Sequence, residues 1–211
     1  MALANTVNGD CLVLGNLQYN GSLLPGVARS GLTQDTSQSY QLPWVDFRVW
    51  DAVQTNLPGT AASDDLALIG GTFGTGVPSI QTGDLKAAGS TSRYARVQFQ
   101  LPPEYVTGTA VVLRLHAGMI TTIAGTAATA DVECYKSGKE AAVSGSDLCT
   151  TSATTINSLT FADKDFAITG TGLVAGDWLD IRLTVLVNDA ATVTAVIGCI
   201  GSAEMLLTIR G

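Results

Sequence analysis

The only histidine of this 211-residue chain, His116, follows Arg114 in the run VVLRLHAG, from Val111 to Gly118. A histidine held by a carboxylate and facing an activated hydroxyl is the working part of a nucleophilic triad. The chain has Ser, Thr and Asp in plenty, but no Gly-x-Ser-x-Gly elbow or other local signature. Alternation places His116 on the polar face of a strand, so a surface or interface role is expected. IGGTFGTG, Ile69 to Gly76, has the glycines of a phosphate loop. Val77-Pro78 follows where a helix N-terminus or a Lys-Ser/Thr pair would have to stand, and tight turning is the simpler use of those glycines. Asp64-Asp65, Asp163-x-Asp165 and Asn188-Asp189 offer oxygens to calcium. None carries the spaced series of an EF-hand loop, and Asp and Asn serve β-turns equally well, so no metal site is assigned. Cys11, Cys134, Cys149 and Cys199 form no C-x-x-C pair, and zinc sites want tighter spacing. Small buried thiols are expected, Cys134 and Cys199 lying in apolar runs. Sugar hydrolysis needs paired carboxylates in an aromatic-lined cleft, yet aromatics are only 6% of the chain. Trp44, Trp50 and Trp178 are too few to signal a sugar platform, and Trp178 is expected to point into the core. No catalytic residue and no cofactor is assigned, and the chain is not expected to be an enzyme.

The elements that position these residues read as strands. Val97, Phe99 and Leu101 alternate with Gln98 and Gln100, and PPEYVTG then makes a corner, because proline cannot continue a ladder. Val111, Leu113 and Leu115 form a second strand and TADVECYK a third. INSLTFADKDFAIT contains a turn at Ala162-Asp163-Lys164. After the Gly176-Asp177 loop, Leu179, Ile181, Leu183 and Val185 mark a long strand, and TVTAVIGCIGSAEMLLTIRG supplies one or two more. Earlier, Val45, Phe47 and Val49 alternate with Asp46 and Arg48, predicting a strand through LPWVDFRVWDA, and LALIGG predicts a short one. No stretch has a helical period with caps at both ends. About eight strands after Leu42, with turns at sandwich-like spacing, predict an all-β, antiparallel β-sandwich of jelly-roll type. Residues 1–41, rich in Gly, Ser, Gln and Pro around the apolar CLVLGNL, predict an extended, irregular N-terminal arm. Residues 42–211 predict the sandwich domain.

Charged residues make up 14% of the chain and apolar ones 46%. So little charge fits either a large core or a surface buried against other subunits. No run reaches the roughly 20 apolar residues of a membrane helix. The opening MALANTVNGDCLVLGNLQ has no basic leader, so a protein made in the cytoplasm and free of membranes is expected. A net charge of −7 with scattered Lys and Arg argues against direct nucleic-acid binding.

YARVQFQLPPEYVTGTAVVLRLHAG, followed by GLVAGDWLDIRLTVLVNDAATVTAVIGCIGSAEMLLTIRG, resembles a pattern of tailed-bacteriophage virion proteins. LPWVDFRVWDA and DDLALIGGTFGTG look like members of the same set. The resemblance spans about Leu42 to Gly211. It implies a jelly-roll protein on the capsid exterior, of decoration, cement or head-fibre-base type, bound as a homotrimer to the major capsid protein. In that picture Leu12, Val13 and Leu14 of the arm would add to a neighbour's sheet edge, and Trp44 and Trp50 would form a docking surface. The alternative is a β-sandwich module on a virion or cell surface that binds carbohydrate or a receptor.

Overall fold

The computed structural model describes residues 35–210 and, from the segment before them, the strands β1 (Gln18–Tyr19) and β2 (Ser22–Leu23). These two short strands pair antiparallel as a hairpin. Leu12, Val13, Leu14 and Cys11 lie outside the described residues. The second compact unit begins at Asp35. Its strands are β3 (Asp35–Gln41), β4 (Ala67–Ile69), β5 (Ser79–Gln81), β6 (Thr91–Gln100), β7 (Val111–Ile120), β8 (Ala127–Ser137), β9 (Val143–Ser144), β10 (Thr154–Thr155), β11 (Ala162–Ile168), β12 (Trp178–Asn188) and β13 (Ile197–Arg210).

Two antiparallel sheets form a β-sandwich. One runs β10-β8-β12-β6, with β9 also on β8; the other runs β11-β7-β13-β5-β4, with β3 also on β13. Strands β3, β6, β7, β8, β10, β11, β12 and β13 take the order of a jelly roll, with the chain passing back and forth between the sheets. The β4–β5 hairpin widens the second sheet. Asp35–Gln41, placed by the sequence at the end of the arm, pairs along its whole length with Glu204–Arg210.

Period-2 alternation builds the core. Leu113 and Leu115 of β7, Leu179, Ile181 and Leu183 of β12, and Met205 of β13 are almost fully buried between the sheets. Phe166 of β11 is wholly buried among them. The proline corner forms as expected: Tyr105 is buried and its hydroxyl donates to the Thr109 carbonyl. Gly170 lets that carbonyl approach, because a Cβ there would lie 1.8 Å from it. The glycine-rich segment is the β4–β5 turn, where Gly71 has a φ of 70° and backs onto Gly76. Cys134 and Cys199 are buried free thiols, and burial pushes both upward in pKa.

Three expectations are corrected. Trp44–Asp46 is a 3-10 turn, not the start of a strand. Pro43 stands at its N-cap, the Pro43 carbonyl accepts from Asp46, and Val45 is thrown out to 69% exposure while Phe47 and Val49 stay buried. Only Arg48 then joins a neighbour, by isolated bridges to Asn56 and Arg96. Ala162-Asp163-Lys164 is not a turn but the start of β11, each residue opposite its partner in β7. Apolar Phe166 and Ile168 further along the strand set its register. Trp178 points outward and is 42% exposed. The alternation that buries Leu179 and Ile181 forces it there, since neighbours in a strand face opposite ways.

Asp177, at the head of β12, is a buried carboxylate. Burial alone would raise its pKa. The Lys136 ammonium at 2.7 Å and the Val174 N–H at 2.9 Å more than offset this and hold it below the ordinary range. A lowered folded pKa stabilises the native state above about pH 4, and that contribution disappears as pH falls through the folded value. Asp177→Asn is expected to cost about 2 kcal/mol at pH 7, measured by urea unfolding, with the gap to wild type closing towards pH 2. A gap that does not change with pH would reject this role. Phe166→Ala, which empties a fully buried site, is expected to cost about 3–5 kcal/mol with an unchanged urea slope. A loss below about 1 kcal/mol would mean that the inter-sheet core is not packed as described.

Candidate functional site

The outward face of the β6-β12-β8 sheet gathers the chemistry. Register fixes its cross-strand rows. Gln100 faces Trp178; Gln98 faces Asp180 and then Tyr135; Arg96 faces Arg182 and then Glu133; Tyr94 faces Thr184 and then Asp131. Arg96 and Arg182, two like charges directly opposite each other, are each neutralised from the side. Arg96 clasps Asp180 with both arms of its guanidinium, its Nε lying 2.6 Å from Oδ1. That hydrogen bond to Asp180 holds the Arg96 pKa above even its ordinary high value. Arg182 Nη2 pairs with Glu133 on the neighbouring strand. The two arginines and their two carboxylate partners sum to zero charge.

The walls come from segments that finish the sheet's edges. Arg48 and Arg96 exchange backbone hydrogen bonds of 2.8 and 3.0 Å, while Tyr94 bonds Asp64 and Leu66 on either side. The segment from Arg48 to Leu66 thus covers the free edge of β6, and the cover carries Trp50 over the sheet. The Trp50 indole N–H donates to Asp64 Oδ2 at 3.0 Å, and its ring lies 5.2 Å from that of Tyr94. The Arg182 guanidinium sits 5.4 Å from the Trp50 ring and 5.1 Å from the Tyr94 ring, a cation–π arrangement with both. Beside these groups, Asp65 is pushed up in pKa by burial and by Asp64 and Asp51. On the far side, Asp147 Oδ1 accepts from the Cys134 and Cys149 amides, both at 2.9 Å. This fixes a second wall bearing the hydroxyls of Thr150, Thr151 and Ser152.

Between the walls lie hollows of about 450 Å³, beside Tyr94, Thr184 and the hydroxyl wall, and about 360 Å³, beside Trp50, Arg96 and Tyr135. Their lining is charged, hydroxylic and aromatic, a mixture suited to a ligand dense in hydroxyl groups with some apolar faces.

The residues singled out in the sequence are dispersed by comparison. Trp44 packs on Phe47 with ring centres 5.6 Å apart, at the edge of the core. Trp50, expected to dock a partner, stands in the groove. His116 is on the outward face of the other sheet, its Nδ1 2.7 Å from Asp163 Oδ1. Ser202 lies opposite it on β13, but the one hydrogen bond of the ring among the described residues goes to Asp163. Several of the candidate calcium ligands are engaged by protein, whereas Asp65 Oδ1 is buried without a hydrogen-bond partner among the described residues. Asp165 takes both arms of Arg114 at 2.7 and 2.8 Å, Asp64 takes Trp50, and Asp189 accepts from the Ala87 and Gly125 amides. Among the described residues no three His, Cys, Asp or Glu side chains are placed to hold a metal ion.

Sequence reasoning missed Tyr94, Arg96, Asp180, Arg182 and Glu133. The available signal was the outward half of the alternation: Trp178-x-Asp180-x-Arg182-x-Thr184 puts charge at the middle of a long strand, where a merely solvated face would not need it. The aromatic count was misleading because Trp50, Tyr94, Tyr135 and Trp178 are few but share one face.

Asp180→Ala leaves Arg96 facing Arg182 without its clasp. This is expected to cost about 1–2 kcal/mol in urea unfolding. Adding Arg96→Ala is expected to recover part of the loss. A double variant as unstable as the sum of the singles would show that the pair is not coupled.

No protein-family model matches the chain, and no curated protein matches it. Solved structures similar to it include a family 16 carbohydrate-binding module, at 13% identity and TM-score 0.39 over 71% of this chain and 89% of that one. Another is the CBM22-1 xylan-binding domain of Paenibacillus barcinonensis Xyn10C, at 10% identity and TM-score 0.39, over 85% of this chain and 97% of that one. A third is the isomalto-dextranase of Arthrobacter globiformis T6 complexed with panose, at 15% identity and TM-score 0.40, over 81% of this chain but 23% of that one. Likenesses this distant carry no argument, and the β-sandwich assignment rests on the strand pairing described above.

Proposed function

We propose that the protein is a carbohydrate-binding β-sandwich module whose site is the groove over β6, β12 and β8. The observation that carries this reading is the composition of one surface. Trp50 stands in one wall against Tyr94 of the floor, Trp178 is exposed on the same face, and between them lie paired Arg and carboxylate groups flanked by hydroxyls. Sugars present hydroxyl edges and apolar C–H faces. Planar guanidinium and carboxylate groups offer paired donors and acceptors to the first, and aromatic rings cover the second. The groove binds and does not cleave in this reading: Asp180 and Glu133 are tied to arginines and are not free as acid and base.

A glycan array tests the proposal directly. The wild-type chain is expected to bind a restricted set of glycans, and Trp50→Ala to weaken binding at least about tenfold. Trp50→Phe, which keeps a ring, is expected to retain more of the affinity and to control for loss of packing on Tyr94. An array with no signal above background would reject the reading. If the chain then also runs as a stable trimer by light scattering and copurifies with capsids, the capsid-surface role takes its place.

A further inference from the structure

We infer that β3 is a docking edge for the β3 of a second copy of this chain, and that the resulting two-fold dimer holds both β6-β12-β8 grooves open on the same side. The pairing stands without the glycan-binding reading; only its consequence for binding rests on that reading.

The state of the sheet edges is the first ground. Arg48 and the Asp64–Leu66 stretch cover the β6 edge, and the Pro58 carbonyl covers β4 by accepting from Leu68. Leu148 and Thr150 close one end of the β11 edge, and its open end carries Asp163, Lys164 and Asp165, charges that discourage pairing. Strand β3 has no such cover among the described residues. The Leu42 amide donates to Ala203, which fixes the parity of the β3–β13 ladder. Backbone groups of Thr36, Gln38 and Tyr40 face β13, and those of Asp35, Ser37, Ser39 and Gln41 face away. The Gln38 side chain reaches over one of these, its Nε2 3.3 Å from the Ser39 carbonyl. The strand has no Pro, no Lys and no bulge to deter a neighbour.

Self-complementarity is the second ground. A two-fold axis at Gln38 sets Ser37 opposite the partner's Ser39, Asp35 opposite the partner's Gln41, and Gln38 opposite itself. All the outward-facing residues then pair with outward-facing residues. No like charges meet, because Asp35, the only charge of the strand, faces an amide. Thr36 falls opposite the partner's Tyr40, a favourable β-branched and aromatic pair. Thr36 and Gln38 are exposed, so this face of the strand is open to a neighbour. An axis relating antiparallel neighbours stands perpendicular to their sheet, so both copies keep the same face up. The sheet of β11, β7, β13 and β3 continues across the dimer, and the two grooves, on the other sheet, open on one side. Two sites turned to one surface bind it through effective concentration.

Sedimentation equilibrium of the full chain tests this. A single strand pair is smaller than the roughly 1,200–2,000 Å² of stable interfaces, so a reversible dimer with Kd between about 1 μM and 1 mM is expected. Ser37→Lys with Ser39→Lys sets like charges opposite each other and is expected to weaken the dimer at least about tenfold. Ser37→Glu with Ser39→Lys sets opposite charges there and is expected to strengthen it. Both positions are exposed, so both variants are expected to fold. Gln38→Cys places two thiols at a non-hydrogen-bonded pair, with Cα atoms about 4.5 Å apart and within disulfide reach. Oxidised glutathione is expected to join the copies at residue 38, read by peptide mapping, and not to join them in Asp35→Cys. A monomer at about 1 mM, a trimer, or a dimer that both charge variants change alike overturns the inference. In the monomer case, Ser37 and Ser39 amides protected from hydrogen exchange would assign the edge to the chain's own N-terminal residues. On a glycan-coated surface the dimer is expected to be retained longer than the double-lysine variant, and equal retention overturns the same-side placement. Absence of all glycan binding removes the glycan-binding reading and leaves the dimer standing.

Discussion

Arg96 and Arg182 face each other across two central strands, an arrangement that by itself pushes those strands apart. It is tolerated because Asp180 reaches diagonally to Arg96 while Glu133, one strand further on, takes Arg182. The four groups are paired in the observed register of β6 on β12 and of β12 on β8. A slip of one residue would send Asp180 and Arg182 into the core and Leu179 and Ile181 to the surface. Charge pattern outside and apolar pattern inside therefore specify the same pairing, and such agreement between levels makes a fold unique. The same lattice is the floor of the candidate site, so the feature that fixes the register also fixes where any ligand's hydroxyls would meet donors and acceptors.

Edge protection links the register to the walls. A free β6 edge would offer unpaired backbone groups to other chains. Here Arg48 and the Asp64–Leu66 stretch occupy it, and Trp50 hangs over the sheet because its neighbour Arg48 is locked to Arg96. On the opposite side, residues 148–150 cross between the sheets: Leu148 donates to the Cys134 carbonyl and Thr150 to that of Ala167. The groove is thus a by-product of closing the sandwich. Its walls are held by backbone pairing as well as by side-chain packing, which leaves them preorganised for a ligand.

Most of the sandwich was legible in the sequence because alternation is local. Val97, Leu113, Leu115, Leu179 and Ile181 announce their strands within a few residues, and the Pro-Pro-Glu-Tyr corner announces its bend. Errors arose where another constraint outranked the pattern. Pro43 favours a 3-10 turn although Val45, Phe47 and Val49 alternate perfectly. Asp163 looks like a turn residue, yet its pairing opposite His116 in a strand is enforced by Phe166 further along. Trp178 was misplaced by weighing hydrophobicity above parity. The candidate site was hidden for a different reason. Trp50, Tyr94, Glu133 and Arg182 come from four separated segments, and only the crossing of the chain between sheets brings them to one face. A single-sequence reading sees a strand's outward half as solvated, and it had no means of telling that this half faces into a groove.

The two outward faces show why one groove and not the other surface attracts the functional reading. The face of β11, β7 and β13 is also rich in ions: Arg114 clasps Asp165, His116 meets Asp163, and Glu204 accepts from Ser39 and Gln41. Asp163 and Asp165 there are about half exposed, so their charge pairs are screened and weakly held. Asp180 is mostly buried beneath the walls of the other face, and Arg96 only about one-third exposed. Partial burial strengthens each hydrogen bond and raises the penalty for breaking a charge pair. A surface of this kind discriminates: it rewards groups that join its lattice and resists groups that would have to replace a member of it. The face of β11, β7 and β13 carries dense charge too, but its carboxylates Asp163 and Asp165 are the more exposed.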